Sequence, residues 1–191
     1  MRPYFSTGFS WHQPDVAHLE LADADAWWGA LNVQVAAMLR DIGCDDHLDH
    51  GLLDDFRRRY TDPAEFCLLP DARAVLDALA QRGWRQLILS NHVPELPEIV
   101  RHLGLADRIE MVLSSAHTGY EKPNPAAFHA AVQAVASSGR IWMIGDSLTA
   151  DAQGASVVGL SSILVGGEPG RWPHAASNLR AVLDLVGLPD D

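Results

Sequence analysis

The apolar positions of the chain change their period near residue 70. Between Asp25 and Arg40, Trp27, Trp28, Leu31, Val35, Met38 and Leu39 recur at helical spacing and Gly43 supplies a stop, which predicts an amphipathic helix. Leu48, Leu52, Leu53 and Phe56 continue that period until Tyr60-Thr61-Asp62-Pro63 breaks it. Residues 15–70 are therefore expected to form a small helical subdomain without a strand, after an irregular segment at 1–14.

Beyond Asp71 short apolar runs alternate with helical patterns. Asp71 is expected to cap a helix carrying Val75, Leu76 and Leu79, which Gly83 ends before the apolar run Gln86-Leu87-Ile88-Leu89. Pro94 opens the next helix and Gly104 closes it. A strand follows at Ile109-Glu110-Met111-Val112-Leu113. Asn124-Pro125 starts a helix through Phe128, Val132 and Val135. Ile141-Trp142-Met143-Ile144 and Ser162-Ile163-Leu164-Val165 read as two more strands, and Leu179 to Val186 as a closing helix. Helices between short apolar strands predict an α/β core at 71–191, with a parallel sheet covered on both faces.

In such sheets ligands bind beyond the carboxyl ends of the strands, where this chain places Ser90, Asn91 and Asp146. Asp146 and Asp151, on a strand-to-helix turn, can bring two carboxylates to one hard cation, with Mg²⁺ completing its octahedron from water, phosphate or other carboxylates. Ser90 offers a hydroxyl and, with Asn91, backbone N–H groups for a phosphate oxygen. Lys122 is the single lysine beside 13 arginines, so a compact ammonium is singled out before the helix at Pro125.

Composition narrows the partners. The chain has 191 residues, 48% of them hydrophobic, and a formal charge of −11 spread along its length, which disfavours nucleic acid and anionic membrane. An anionic substrate then needs a local positive site. Cys44 and Cys67 are too few for a disulfide framework and are expected to be structural, and the start lacks a signal-peptide pattern, so a reducing cytoplasmic setting is expected. His47, His50 and His117 carry no convincing set of metal or catalytic partners.

Leu87-Ile88-Leu89-Ser90-Asn91, Gly119-Tyr120-Glu121-Lys122-Pro123-Asn124-Pro125 and Met143-Ile144-Gly145-Asp146-Ser147-Leu148-Thr149-Ala150-Asp151 resemble, in order, the second, third and fourth motifs of the haloacid dehalogenase superfamily. The resemblance spans about residues 71–187 and implies a Rossmann-like three-layer core with a helical cap at 15–70. It also implies a Mg²⁺-dependent phosphomonoesterase for a small organic phosphate. In that reading Ser90 and Lys122 are catalytic, Ser90, Asn91 and Lys122 bind the phosphoryl group, Asp146 binds Mg²⁺, and Asp151 binds it or orients its shell.

The family's first motif, an Asp-x-Asp after an apolar strand that lies between the second- and fourth-motif strands, has no counterpart here. Asp23-Ala24-Asp25 reads instead as the start of a helix, and Tyr4-Phe5-Ser6 is a poor central strand. The sheet is therefore expected to show two bare edges, the chain as given to be inactive, and Met1 to be internal to a longer reading frame. A pseudoenzyme that keeps the phosphate and Mg²⁺ pocket is one alternative. A haloacid dehalogenase-type hydrolase is another, although it fits the Gly145-Asp146 form of the fourth motif less well.

Overall fold

A computed structural model describes residues 12–44, 50–136, 139–167 and 170–187. Tyr4-Phe5-Ser6, His47 and the side chain of His50 lie outside the described residues.

Among the described residues two α-helices precede the α/β part: α1 (Ala24–Asp41) and α2 (His50–Tyr60). The Asp23 carboxylate caps α1 by accepting from the N–H groups of Asp25 and Ala26, while Arg40 sits in its last turn, so both ends complement the helix dipole. The Asp-x-Asp pair near the start is thus a helix start. Trp27 and Trp28 are buried against Val93, Ile99 and Ala116, so α1 is seated directly on the α/β part.

The α/β part runs α3 (Ala72–Gln81), β1 (Leu87–Ser90), α4 (Leu96–His102), β2 (Met111–Ser114), a helical turn α5 (Ser115–Thr118), α6 (Pro125–Val135), β3 (Trp142–Gly145), a π-helical turn Leu148–Gln153, α7 (Gly154–Val157), β4 (Ser161–Val165), β5 (Ala175–Ala176) and α8 (Val182–Val186). Asn124 caps α6 through the Ala126 N–H, with Pro125 in the first turn where its missing donor is harmless.

Four local expectations need correction. Asp71 occupies the N-cap position of α3 but in left-handed backbone (φ 63°), which turns its side chain away from the first-turn N–H groups; it makes no capping bond. The strand expected from Ile109 starts at Met111, because the Ile109 N–H is held by the Leu105 carbonyl in the turn that leaves α4. The same strand, expected to end at Leu113, runs on to Ser114, which caps α5 as it begins at Ser115. The closing helix begins at Val182, three residues late, because Asn178 accepts from the Ala181 N–H and holds the preceding residues in a turn.

The strands form two parallel sheets. β1 pairs with β2 from Leu87↔Met111 to Ser90↔Ser114, and β3 pairs with β4 from Trp142↔Ser161 to Gly145↔Leu164, with β5 beyond β4. Among the described residues no ladder joins β1 to β3, so each of them has one edge without a described partner strand. Packing follows the same division: Val75, Leu79, Ile163, Val182 and Val186 form one core cluster, and Leu96, Val100 and Leu105 with Ile88 and Val112 form another. β4 is buried through Ser162, Ile163 and Leu164, whereas every residue of β1 and β3 is only half-buried.

Candidate functional site

Lys122 joins the carboxyl ends of the two sheets. Its backbone is gripped by Asn91, one residue past β1: the Lys122 N–H donates to Asn91 Oδ1 at 2.7 Å and Asn91 Nδ2 donates to the Lys122 carbonyl at 2.9 Å. Its ammonium donates to Asp151 Oδ1 at 2.5 Å, in a pair whose side chains are 10% and 6% exposed. Asp151 Oδ2 in turn accepts from the Ser147 N–H at 3.0 Å, just past β3. Both carboxylate oxygens of Asp151 are thus engaged by the protein.

The sequence at 145–151 produces this geometry. In the π-helical turn the Ser147 carbonyl accepts from the N–H groups of both Asp151 and Ala152, and the Ser147 hydroxyl accepts from Ala150 N–H. That turn folds Asp151 back over Gly145. A Cβ at Gly145 would lie 2.2 Å from Asp151 Oδ2 and 2.4 Å from its Cγ, so glycine is required there for the carboxylate to pack on the backbone. Gly154 is required for a different reason: a Cβ would stand 2.8 Å from the Phe128 ring, where α7 crosses α6.

Ser90 is half-buried at the end of β1, and Asp146 is exposed at the end of β3; both line the same cavity as Lys122 and Asp151. The five residues singled out from sequence therefore converge. The side-chain amide of Asn91, however, is committed to holding Lys122, which leaves its backbone N–H for a ligand. For a cation, the donors are hard oxygens suited in kind to Mg²⁺, but among the described residues no cluster of three His, Cys, Asp or Glu side chains forms. Asp146 is exposed, whereas both carboxylate oxygens of Asp151 are already engaged.

Residues outside the motifs support the loop after β1. The fully buried Ser114 donates to the carbonyls of His92 and Val93, at 2.5 and 3.0 Å, while Ser115 Oγ accepts from the His92 N–H at 3.1 Å. The His92 ring faces Phe66, and its buried Nδ1 has no hydrogen-bond partner among the described residues. Burial lowers the His92 pKa, opposed by a backbone hydrogen bond at Val93 and by the charge of Glu95. Glu95 itself fastens the helical segment: it accepts from Trp28 Nε1 at 3.0 and 3.1 Å and from Arg57 Nη2 at 3.0 Å, with the Arg57 guanidinium over the Trp28 ring. Nothing in the local pattern around Glu95 announces this contact, which bridges 67 positions to Trp28 and 38 to Arg57.

A parallel-stranded α/β fold with a lysine–aspartate pair at its strand ends defines the class, and comparison with known proteins gives the family. The family model described as haloacid dehalogenase-like hydrolase matches residues 12–159, and the chain belongs to that family. It is 32% identical over 144 residues to haloacid dehalogenase-like hydrolase domain-containing protein 3 of Bos taurus, covering 74% of this chain and 56% of that protein. It is 37% identical over 103 residues to a ribulose-1,5-bisphosphate 5-phosphatase of Halopiger xanaduensis, covering 52% and 43%. Among solved structures, the magnesium-bound HAD-hydrolase YfnB of Bacillus subtilis superposes with a TM-score of 0.68 at 24% identity, over 82% of this chain and 70% of that one, a likeness of fold. The chain spans about half the length of the curated relatives it matches.

Proposed function

We propose that these residues belong to a Mg²⁺-dependent phosphomonoesterase for a small organic phosphate, with residues 15–70 as its helical cap and 71–191 as its core. The observation that carries this reading is the bridge Asn91–Lys122–Asp151–Ser147, which holds one nearly buried ammonium where three separate chain segments meet at the strand ends. A phosphoryl group there would take hydrogen bonds from Ser90 and from the Ser90–Asn91 backbone, and charge from Lys122. Asp146 would bind the cation, which would supply further positive charge to the phosphate oxygens, and Asp151 would hold Lys122 in place. Phosphatases among the matched relatives support this substrate class. A reducing cytoplasmic location fits two cysteines that are both free, and among the described residues no helix is long and apolar enough to cross a membrane.

A carboxylate nucleophile is absent from the described residues at this site, since Asp23 caps α1 and Asp25 pairs with Arg57. The 191 residues alone are thus expected to bind phosphate without turning it over. The experiment is hydrolysis of p-nitrophenyl phosphate, with and without MgCl₂, by these residues and by the product of the same frame extended upstream of Met1. Negligible turnover by the first, and Mg²⁺-dependent turnover by the second that Lys122→Met abolishes, is the expected result. Robust turnover by the 191 residues that Asp23→Asn abolishes would overturn it, as would a stop codon directly upstream of Met1.

A further inference from the structure

The loop that carries Lys122, from Gly119 to Asn124, is held from two sides. On one side Asn91 takes both the N–H and the carbonyl of Lys122. On the other lies a short segment, Pro14 to Leu19, that runs antiparallel to the loop. Asn124 Nδ2 donates to the Pro14 carbonyl at 2.7 Å, and the His18 N–H donates to the Gly119 carbonyl at 2.7 Å. At Gly119 the two come so close that only glycine fits: its φ is 73°, and a Cβ would stand 2.7 Å from Leu19 Cδ2 and 3.0 Å from the Leu19 nitrogen. The segment is anchored in its turn. It passes through a 3₁₀ turn (Leu19–Leu21) and the Asp23 cap into α1, and Leu21 packs with the cluster of Trp27, Trp28 and Val93.

Asn124 does two jobs with one amide. Its Oδ1 accepts from the Ala126 N–H at 2.9 Å and starts α6, while its Nδ2 is the donor that reaches Pro14, 110 positions away. A helix cap needs only the oxygen, and Asp or Ser would supply one equally well. The second bond is what calls for an amide. The Asn124 N–H also donates to the Glu121 carbonyl at 2.8 Å, which closes the turn around Lys122. The 14–19 segment thus fixes the loop where it begins and where it ends, and between those points the Lys122 side chain, 10% exposed, meets Asp151.

We propose that Asn124 is a positioning residue for Lys122. By tying the loop to the 14–19 segment it sets where the ammonium stands toward an anionic ligand, which, resting on the reading above, is a phosphoryl group. The tie itself is independent of that ligand. Asn124 touches neither the ammonium nor Asp151 in the bonds it makes; it acts through the backbone on either side of Lys122.

The test exploits the single lysine. Labelling the 191-residue chain with ¹⁵N-lysine gives one backbone amide and one ammonium resonance, both from Lys122, recorded in the free chain and during a titration with inorganic phosphate. Asn124→Asp keeps the helix cap and sets an acceptor against the Pro14 carbonyl, and Asn124→Ser keeps a neutral cap too short to reach it. The serine variant guards against a new negative charge repelling phosphate on its own. Asp77→Ala, which breaks the pair between Asp77 on α3 and Arg108, controls for a general loss of stability. Both Asn124 variants are expected to shift or broaden the ammonium resonance and to weaken phosphate binding roughly threefold or more, the scale of one hydrogen bond, with the control unchanged in both. An ammonium resonance that keeps its parent position in Asn124→Ser, or that Asp77→Ala moves as far, would overturn the proposal and leave Asn124 a helix cap. Absence of phosphate binding in the parent would count against the phosphatase reading, while the ammonium resonance of the free chain would still decide for or against the tie.

Discussion

Lys122 and Asp151 form a charge pair that solvent scarcely reaches, and this makes the energetic consequence of breaking it large. With side chains only 10% and 6% exposed and an N–O distance of 2.5 Å, each charge has little access to water when its partner is removed. Removing one member of a buried pair costs about 3–5 kcal/mol, whereas an exposed pair costs about 0–1 kcal/mol. Lys122→Met leaves Asp151 with the Ser147 N–H alone, and Asp151→Asn leaves a buried ammonium without a counter-charge. Each single variant should lose about 3 kcal/mol, a large share of the ~5–15 kcal/mol typical of a domain. The double variant should lose little more than either single one, giving a coupling energy of ~2–3 kcal/mol. Urea unfolding reads this directly: at an m-value of about 2 kcal/mol per molar, each single variant moves the midpoint down by roughly 1.5 M. Losses below ~1 kcal/mol that simply add in the double variant would instead place the pair among ordinary surface contacts.

Further outcomes follow from the same contacts. Gly145→Ala puts a Cβ against the Asp151 carboxylate and should destabilise by about 1–3 kcal/mol, and less so in an Asp151→Asn background, as measured by the same midpoints. Glu95→Ala leaves Trp28 Nε1 and Arg57 without their shared acceptor and should cost ~1–3 kcal/mol, whereas Asp25→Ala, whose side chain is 88% exposed, should cost under ~0.5 kcal/mol. The folded-state pKa of His92 is depressed, so the unfolded chain takes up a proton more readily. The contribution of His92 is therefore intact above the unfolded value of about 6.5 and is lost as pH falls below it toward the folded pKa. The fall in urea midpoint between pH 7.5 and 5.5 should be smaller in His92→Phe than in the parent.

The strand ends and the α6 cap were legible because they sit at fixed offsets from apolar runs: Ser90 ends β1, Asp146 follows β3, and Asn124 caps a helix with its own side chain. What sequence did not reveal depends on distant segments meeting. The grip of Asn91 on the Lys122 backbone spans 31 positions, and the role of Ser114 depends on carbonyls more than 20 residues away. Asp71 shows the limit of local propensity, since a good capping residue fails to cap once the chain enters the helix in left-handed backbone. Most strand boundaries were displaced by one or two residues, because the carbonyl that ends one turn decides where the next ladder begins.

In the proposed reading, Lys122 and Asp146 together form a phosphate site that works with Mg²⁺. Isothermal titration of inorganic phosphate into the 191-residue chain, with and without Mg²⁺, tests it directly. Saturable binding that strengthens with Mg²⁺ is predicted, with Lys122→Met weakening binding under both conditions and Asp146→Asn removing the Mg²⁺ enhancement. Phosphate binding that ignores Mg²⁺, or that survives Lys122→Met unchanged, would contradict it.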